Sequence, residues 1–471
     1  MRALWDEVLP HLAFWLGLAW AAYLAGLAGW IMLQKREPVA TLSWIMSLAL
    51  LPVVGLVIYH LLGPTRVRRQ RIRRQRARSL VDELRYAKGL GGEAGALARL
   101  GQASGGFPPG SAERVQLLVD GARTFDALVE EIAAARFHVH AEYYIFEDDQ
   151  TGTRIRDALV ERARAGIKVR LLLDAIGSAG LSTAFLAPLR EAGGEVVFFH
   201  RFRMRRLWRP RLNLRSHRKM LVVDGRIGFT GGINISDTEN ERVRPDDAFH
   251  DLHLRIEGEA VRWLQLAFAE DWSYACGRTP AGVEQWPDLH VGPVHVQVLP
   301  AGPDTPWEPI HRVMVSAIHT ANERVWLATP YFVPTEAARM ALTSSALRGV
   351  DVRLLVPVRS DSALVSAAAR SYFDELIAAG VRVYEYPRML HSKALLVDAG
   401  TCVLGSSNFD NRSFRLNFEL SVLIEDAGLA TDLEAVLLAD FDHALRVPAG
   451  RKPGLPAALG EAAARLLSPL L

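Results

Sequence analysis

Two stretches of this chain carry the same reactive side chains at the same spacing. The first reads His217-Arg-Lys219-Met-Leu-Val-Val-Asp224 and, six residues on, Gly231-Gly232-Ile-Asn234. The second reads His391-Ser-Lys393-Ala-Leu-Leu-Val-Asp398 and, six residues on, Gly405-Ser406-Ser-Asn408. In each, His and Lys stand two apart at the head of an apolar run, so strand alternation turns both to one face. A neutral imidazole is a nucleophile near pH 7, and a second, protonated imidazole can hand a proton to a departing oxygen. Lys219 and Lys393, with the carboxamides of Asn234 and Asn408, can grip the non-bridging oxygens of an anionic phosphodiester. Two histidines suffice for this chemistry, and no metal-ligand spacing is evident. Asp224 and Asp398 complete the candidate catalytic triplets and are expected to brace the turn after the strand.

The elements that must position these groups also occur twice. Strand-like runs lie at 115–119, 138–146, 168–174, 195–200, 219–223 and 252–256, with helical patterns at 122–136, 152–165 and 260–275. After residue 291 the order recurs: strands at 324–329, 351–357, 381–386, 393–397 and 418–424, helices at 308–322, 336–347, 362–379 and 432–446. Residues 165–173 (AGIKVRLLL) match residues 348–356 (RGVDVRLLV) directly. The expectation is an α/β protein with two tandem α/β domains, 111–290 and 291–471, related by a pseudo-two-fold axis.

Ahead of them, residues 12–33 and 39–62 are runs of 22 and 24 residues without a charged side chain, separated by five residues. Either is long enough to span a bilayer, so residues 1–64 are expected to form a two-helix transmembrane hairpin. Residues 66–78, in the segment 65–110 that links hairpin to domains, hold eight Arg and no acid; residues 201–219 hold eight Arg and one Lys, again without an acid. Taken from the net charge of +3, these seventeen residues leave −14 for the rest of the chain. The first cluster places the carboxyl-terminal part on the cytoplasmic side of an inner membrane, and both suit anionic lipid head groups. The insert 201–216, with Phe202, Leu207 and Trp208 among its arginines, is expected to touch the membrane at the mouth of the site. Two cysteines, Cys276 and Cys402, exclude a disulfide framework. The tail 455–471 reads as an amphipathic surface helix or a core-capping one.

The doubled motif resembles the HKD signature of the phospholipase D superfamily. Glu142-Tyr-Tyr-Ile-Phe146, Thr329-Pro-Tyr-Phe-Val-Pro334 and residues 408–419 (NFDNRSFRLNFE), together with the hydrophobic hairpin, resemble the bacterial cardiolipin synthases within it, over nearly the whole chain. The resemblance implies one site shared by two halves, with His217 as nucleophile and His391 as acid and base; sequence symmetry alone leaves that choice open. It also implies that Glu419 orients His391, and Asp251, in His-Asp-Leu-His, is the counterpart for His217, with Asp246 and Asp247 close by. The implied reaction joins two phosphatidylglycerol molecules into cardiolipin and glycerol, with no cofactor and no nucleic-acid partner. A membrane-anchored hydrolase or nuclease using the same histidines, or a non-catalytic lipid-binding scaffold, are the other readings, and oligomeric state is not legible.

Overall fold

In the computed structural model, residues 2–33, 95–199, 215–280, 286–305 and 307–468 are described, with residues 42, 45, 46, 48 and 49. All of the expected first span but Leu33 lies inside one continuous helix, Arg2–Met32, which exposes Phe14, Trp15, Leu16 and Leu18. Among the described residues no helix is long and apolar enough to cross a membrane. Of the expected second span only residues 42, 45, 46, 48 and 49 are described; the Arg-rich stretch 66–78 lies outside the described residues, as does the insert up to residue 214.

The remaining chain builds two sheets with one strand order. In the first, the strands run Arg114–Val119, Leu252–Glu257, Ile227–Gly231, Met220–Val223, His138–Tyr143, Lys168–Asp174, Glu195–Phe199 from edge to edge. The second repeats this as Val294–Ala301, Glu419–Glu425, Thr401–Gly405, Ala394–Val397, Arg324–Ala328, Asp351–Pro357, Arg382–Tyr386, with Gly110–Ala112 and Leu445–Arg446 added at the edges. In each, the last three of these seven strands are parallel and the others antiparallel. Strand alternation then divides the core. Met220 and Val222 face a cluster shared by both sheets, whereas Leu221 and Val223 face the outer helices of the first lobe. Ala394 and Leu396, against Leu395 and Val397, do the same in the second lobe.

The shared core holds the helix Val261–Cys276, buried on nearly every face through Trp263, Leu264, Phe268 and Trp272, and the inner side of the helix Ala427–His443. These helices pack into the core that the two sheets share. Two strands escaped the sequence pattern, Ile227–Gly231 and Thr401–Gly405, each the return arm of a hairpin after a motif strand. The first carries two glycines, Gly228 and Gly231. A Cβ at Gly228 would lie 2.5 Å from a side-chain methyl of Leu264 on the buried helix, a mark of how closely helix and sheet approach there. The strand Val294–Ala301 and the helix Thr183–Glu191 were also missed, and the helix expected over 362–379 breaks at Ser371, whose hydroxyl bonds back to the Ala368 carbonyl at 2.6 Å. The tail forms the helix Leu455–Leu466, seated by Arg465 over the Tyr372 ring at 4.4 Å and by Ser468 on the Tyr372 hydroxyl, with Leu455, Leu459 and Leu466 exposed.

Candidate active site

Each motif enters its strand from a short extended stretch that pairs with the opposite lobe. Residues Ser216 and Phe418 form one parallel bridge, His250 and Leu390 its counterpart. His217 N–H donates to the Phe418 carbonyl at 2.8 Å, and His391 N–H donates to the His250 carbonyl at 2.8 Å. The residue after each acceptor is a carboxylate, Glu419 or Asp251, so each histidine lies beside the acid of the other lobe. His217 Nδ1 is 3.0 Å from Glu419 Oε2; His391 Nδ1 is 2.6 Å from Asp251 Oδ2. The expected partnership is therefore corrected: both carboxylates orient a histidine, but Glu419 serves His217 and Asp251 serves His391. The cross-lobe bridges are the cause.

With each Nδ1 engaged, Nε2 is the nitrogen left to meet a substrate. Both imidazoles, both lysines and both carboxylates are buried. Lys219 Nζ donates to the His217 carbonyl at 2.8 Å, and Lys393 Nζ donates likewise to the His391 carbonyl, which fixes each ammonium beside its histidine. Tyr144, from the resembling stretch 142–146, stands edge-on to His217 with centroids 4.9 Å apart and lies 5.3 Å beneath Lys219 Nζ. Asn234 donates from its amide to Glu239 Oε1 at 2.8 Å and accepts from Ile145 N–H at 3.3 Å; Asn408 is buried, and its Oδ1 takes no hydrogen bond among the described residues.

The inequality of Gly232 and Ser406 has a steric origin. Ser406 Oγ donates to Glu419 at 2.5 Å, whereas a Cβ at Gly232 would collide with the Asp251 carboxylate. Asp224 and Asp398 do not belong with the reacting groups. Each ends its motif strand in a left-handed conformation, φ 53° and 50°, and accepts backbone N–H groups at the start of the neighbouring strand. Those donors are Arg136, Phe137 and His138 for Asp224, and Asn322, Glu323 and Arg324 for Asp398. Each stands five positions along the strand from its lysine, roughly 16 Å, so both are structural and leave the catalytic set.

Electrostatics couple the groups into one site. Burial, then the neighbouring Lys393 ammonium, draws Lys219 down to about 7; burial likewise lowers Lys393. Burial pulls both imidazoles toward the neutral form, most strongly at His391, where Lys393, Lys219 and His217 add to it. Asp251 is raised to about 6, mainly by burial. Burial would also raise Glu419, but His217, Lys219 and Ser406 together bring it below the ordinary carboxylate range. Burial, rather than an excess of one sign of charge, is the largest cause of the lowered lysines, and Asp251 and Glu419 act in favour of both ammonium groups.

A titration consequence follows from Lys219. An anion raises the lowered ammonium, so binding near neutrality is accompanied by proton uptake, and affinity must weaken once pH climbs above about 7, by up to ~10-fold per unit. Inhibition by the soluble diester glycerophosphoglycerol, followed from pH 6 to 9, should show that rise in Ki; a constant Ki would remove Lys219 from the phosphate clamp.

Glu239 was not anticipated. It ends the turn Asp237–Glu239, is buried, and lies 3.6 Å from His391 Nδ1. Glu239, Asp251 and His391 fall within 4.8 Å of one another, a spacing open to a metal ion. The 2.6 Å contact of His391 with Asp251 is a hydrogen bond, however, and Lys393 Nζ lies 3.9 Å from Asp251. An adjacent ammonium opposes a cation, so the cluster suits a shared proton.

This arrangement can be set beside known proteins. A family model described as cardiolipin synthase, phospholipase D-like domain, matches residues 128–272 and 314–441, which together cover more than half of the chain and both motifs. The chain belongs to the phospholipase D-like cardiolipin synthase family. A second model, phospholipase D-nuclease N-terminal, matches residues 21–64. The cardiolipin synthase of Alkalihalophilus pseudofirmus is 38% identical over 94% of this chain and 91% of its own; cardiolipin synthase 1 of Bacillus anthracis is 34% identical over 97% and 94%. Among solved structures, phosphatidylserine synthase of Haemophilus influenzae superposes with a TM-score of 0.62 over 80% of this chain and 100% of its own at 14% identity, a likeness of fold. The mixed α/β fold with doubled phospholipase D-like domains is thus that of the family.

Proposed function

We infer that this chain is a phosphatidyltransferase that makes cardiolipin and glycerol from two phosphatidylglycerol molecules. The observation that carries the reading is the pair of imidazoles, each braced by the other lobe's carboxylate, facing one lysine-lined site in a member of the cardiolipin synthase family. His217 Nε2 attacks the donor phosphorus as the bond to glycerol breaks, and His391 Nε2–H supplies the proton to the departing oxygen. The phosphatidyl-His217 intermediate then meets the primary hydroxyl of a second phosphatidylglycerol. Neutral His391 removes that proton as the new P–O bond forms and the P–N bond breaks, which restores both rings. One diester replaces another, so the charge on phosphorus is conserved and Lys219 and Lys393 hold it throughout.

The domains 111–290 and 291–471 belong to this proposal, as does an amino-terminal hairpin over residues 12–33 and 39–62 in the cytoplasmic membrane, with the lobes on the cytoplasmic side. It is supported by two uncharged runs of 22 and 24 residues and by the eight arginines that follow. A site held at the bilayer surface meets lipid alcohols, and exclusion of water favours transfer over hydrolysis. Purified full-length protein in vesicles of labelled phosphatidylglycerol should release cardiolipin and glycerol in equal amounts. Phosphatidate as the main product would make the chain a hydrolase, and no product would leave it a lipid-binding scaffold.

A further inference from the structure

The pseudo-two-fold symmetry that relates the motifs fails at one chemically decisive position. Counting five residues on from Asn234 gives Glu239; counting five on from Asn408 gives Ser413. His217 Nδ1 has one carboxylate, Glu419 at 3.0 Å, and the neutral Ser406 carbonyl at 3.0 Å. His391 Nδ1 has two carboxylates, Asp251 at 2.6 Å and Glu239 at 3.6 Å. Glu239 is itself held in place: its Oε1 accepts from the Asn234 amide at 2.8 Å, while its buried Oε2 takes no hydrogen bond among the described residues.

We propose that Glu239 is a positioning carboxylate that steers the transferable proton of the substrate-loaded site onto His391, and so leaves His217 as the neutral nucleophile. The proposal rests on the phosphodiester-transfer reading of the same site. With no substrate bound, burial and the Lys393, Lys219 and His217 charges disfavour a proton on His391, and Glu239 is the strongest influence in its favour. A bound phosphodiester adds one negative charge between the lysines, which favours a proton on one imidazole as well as on Lys219. That proton goes to the imidazole with the larger carboxylate field. In the transfer step it leaves His391 Nε2 for the glycerol oxygen as the P–O bond breaks and the bond to His217 Nε2 forms. Nδ1–H stays with Asp251. Glu239 touches no reacting atom and acts through His391.

The test uses two donors that differ only in leaving group, phosphatidylglycerol and phosphatidyl-p-nitrophenol. Nitrophenolate departs without a proton, so a residue that matters only by protonating the leaving group should not matter for it. In the full-length protein, Glu239→Gln keeps the size and the acceptor for Asn234 but removes the charge. Phosphatidylglycerol turnover should fall by about 10–100-fold, while the rate of the initial nitrophenol burst changes by less than about threefold. The alkaline limb of the kcat profile for phosphatidylglycerol should move to lower pH by about one unit, because an acid that loses a carboxylate neighbour gives up its proton sooner. Glu239→Asp, which restores the charge, should recover part of the rate. Equal losses on both donors, or an unmoved alkaline limb, would reduce Glu239 to a packing residue and overturn the proposal. The wild-type protein is the control for the reading beneath it: if it makes no cardiolipin, the transferase assignment fails, whatever Glu239 does.

Discussion

His217→Ala is expected to lower phosphatidyl transfer by about 10⁴-fold or more, on phosphatidylglycerol and on phosphatidyl-p-nitrophenol alike. The reason is geometric. His217 Nε2 is the atom that must bond to phosphorus, and its ring is fixed by Glu419 and the Ser406 carbonyl through Nδ1, so no neighbouring base stands ready in the same orientation. Lys219 cannot substitute, since its Nζ is tied to the His217 carbonyl. His391→Ala should behave differently. It removes the proton donor, so cardiolipin formation is lost, but an initial burst of nitrophenol equal to the enzyme concentration survives, because the first bond exchange needs only the nucleophile. Labelled phosphatidyl group should then stay on the protein as an alkali-stable, acid-labile phosphoramidate. Trapping that adduct in His217→Ala but not in His391→Ala would reverse the two roles.

These roles were half legible in the amino-acid sequence. A repeat of His, Lys, Asp and Asn at fixed spacing is a local signal, and the strands that hold it, Met220–Val223 and Ala394–Val397, are short apolar runs that can be read as strands. Which carboxylate meets which histidine is not a local property. It is set where residue 216 meets residue 418 and residue 250 meets residue 390, contacts that only the assembled lobes make. Glu239 was hidden for another reason: flanked by Asp237, Thr238, Asn240 and Glu241, it has the composition of a solvated loop, and only the fold buries it. The charge count misled in the same way. Arg218 and Lys219 were grouped with a basic stretch facing lipid, yet both are buried between the lobes.

Arg218 carries the second large expectation. Its neighbours in the motif, His217 and Lys219, turn to the site, so alternation turns Arg218 into the shared core, where almost none of it is exposed. There Nη1 pairs with Asp271 of the helix Val261–Cys276, Nε donates to the Glu419 carbonyl at 3.0 Å, and Nη2 donates to the Ala301 carbonyl at 3.3 Å. One guanidinium thus ties the first motif, the central helix and two strands of the second sheet, including the strand that supplies the carboxylate of His217. Arg218→Ala takes a cation from beside the buried Asp271 and a donor from each of two carbonyls, a loss of roughly 3–5 kcal/mol. Unfolding by denaturant, followed in detergent, should show a lower midpoint, and kcat should fall because Glu419 loses its anchor. The ion pair itself need not stabilise the protein. Arg218→Met combined with Asp271→Leu removes both charges and fills similar volume, so it should regain most of the stability but not the activity, since Met cannot donate to the Glu419 carbonyl. A single Arg218→Ala variant within about 1 kcal/mol of the wild type would mean that the lobes are held by apolar packing alone, and that the nucleophile is oriented without help from the helix between them.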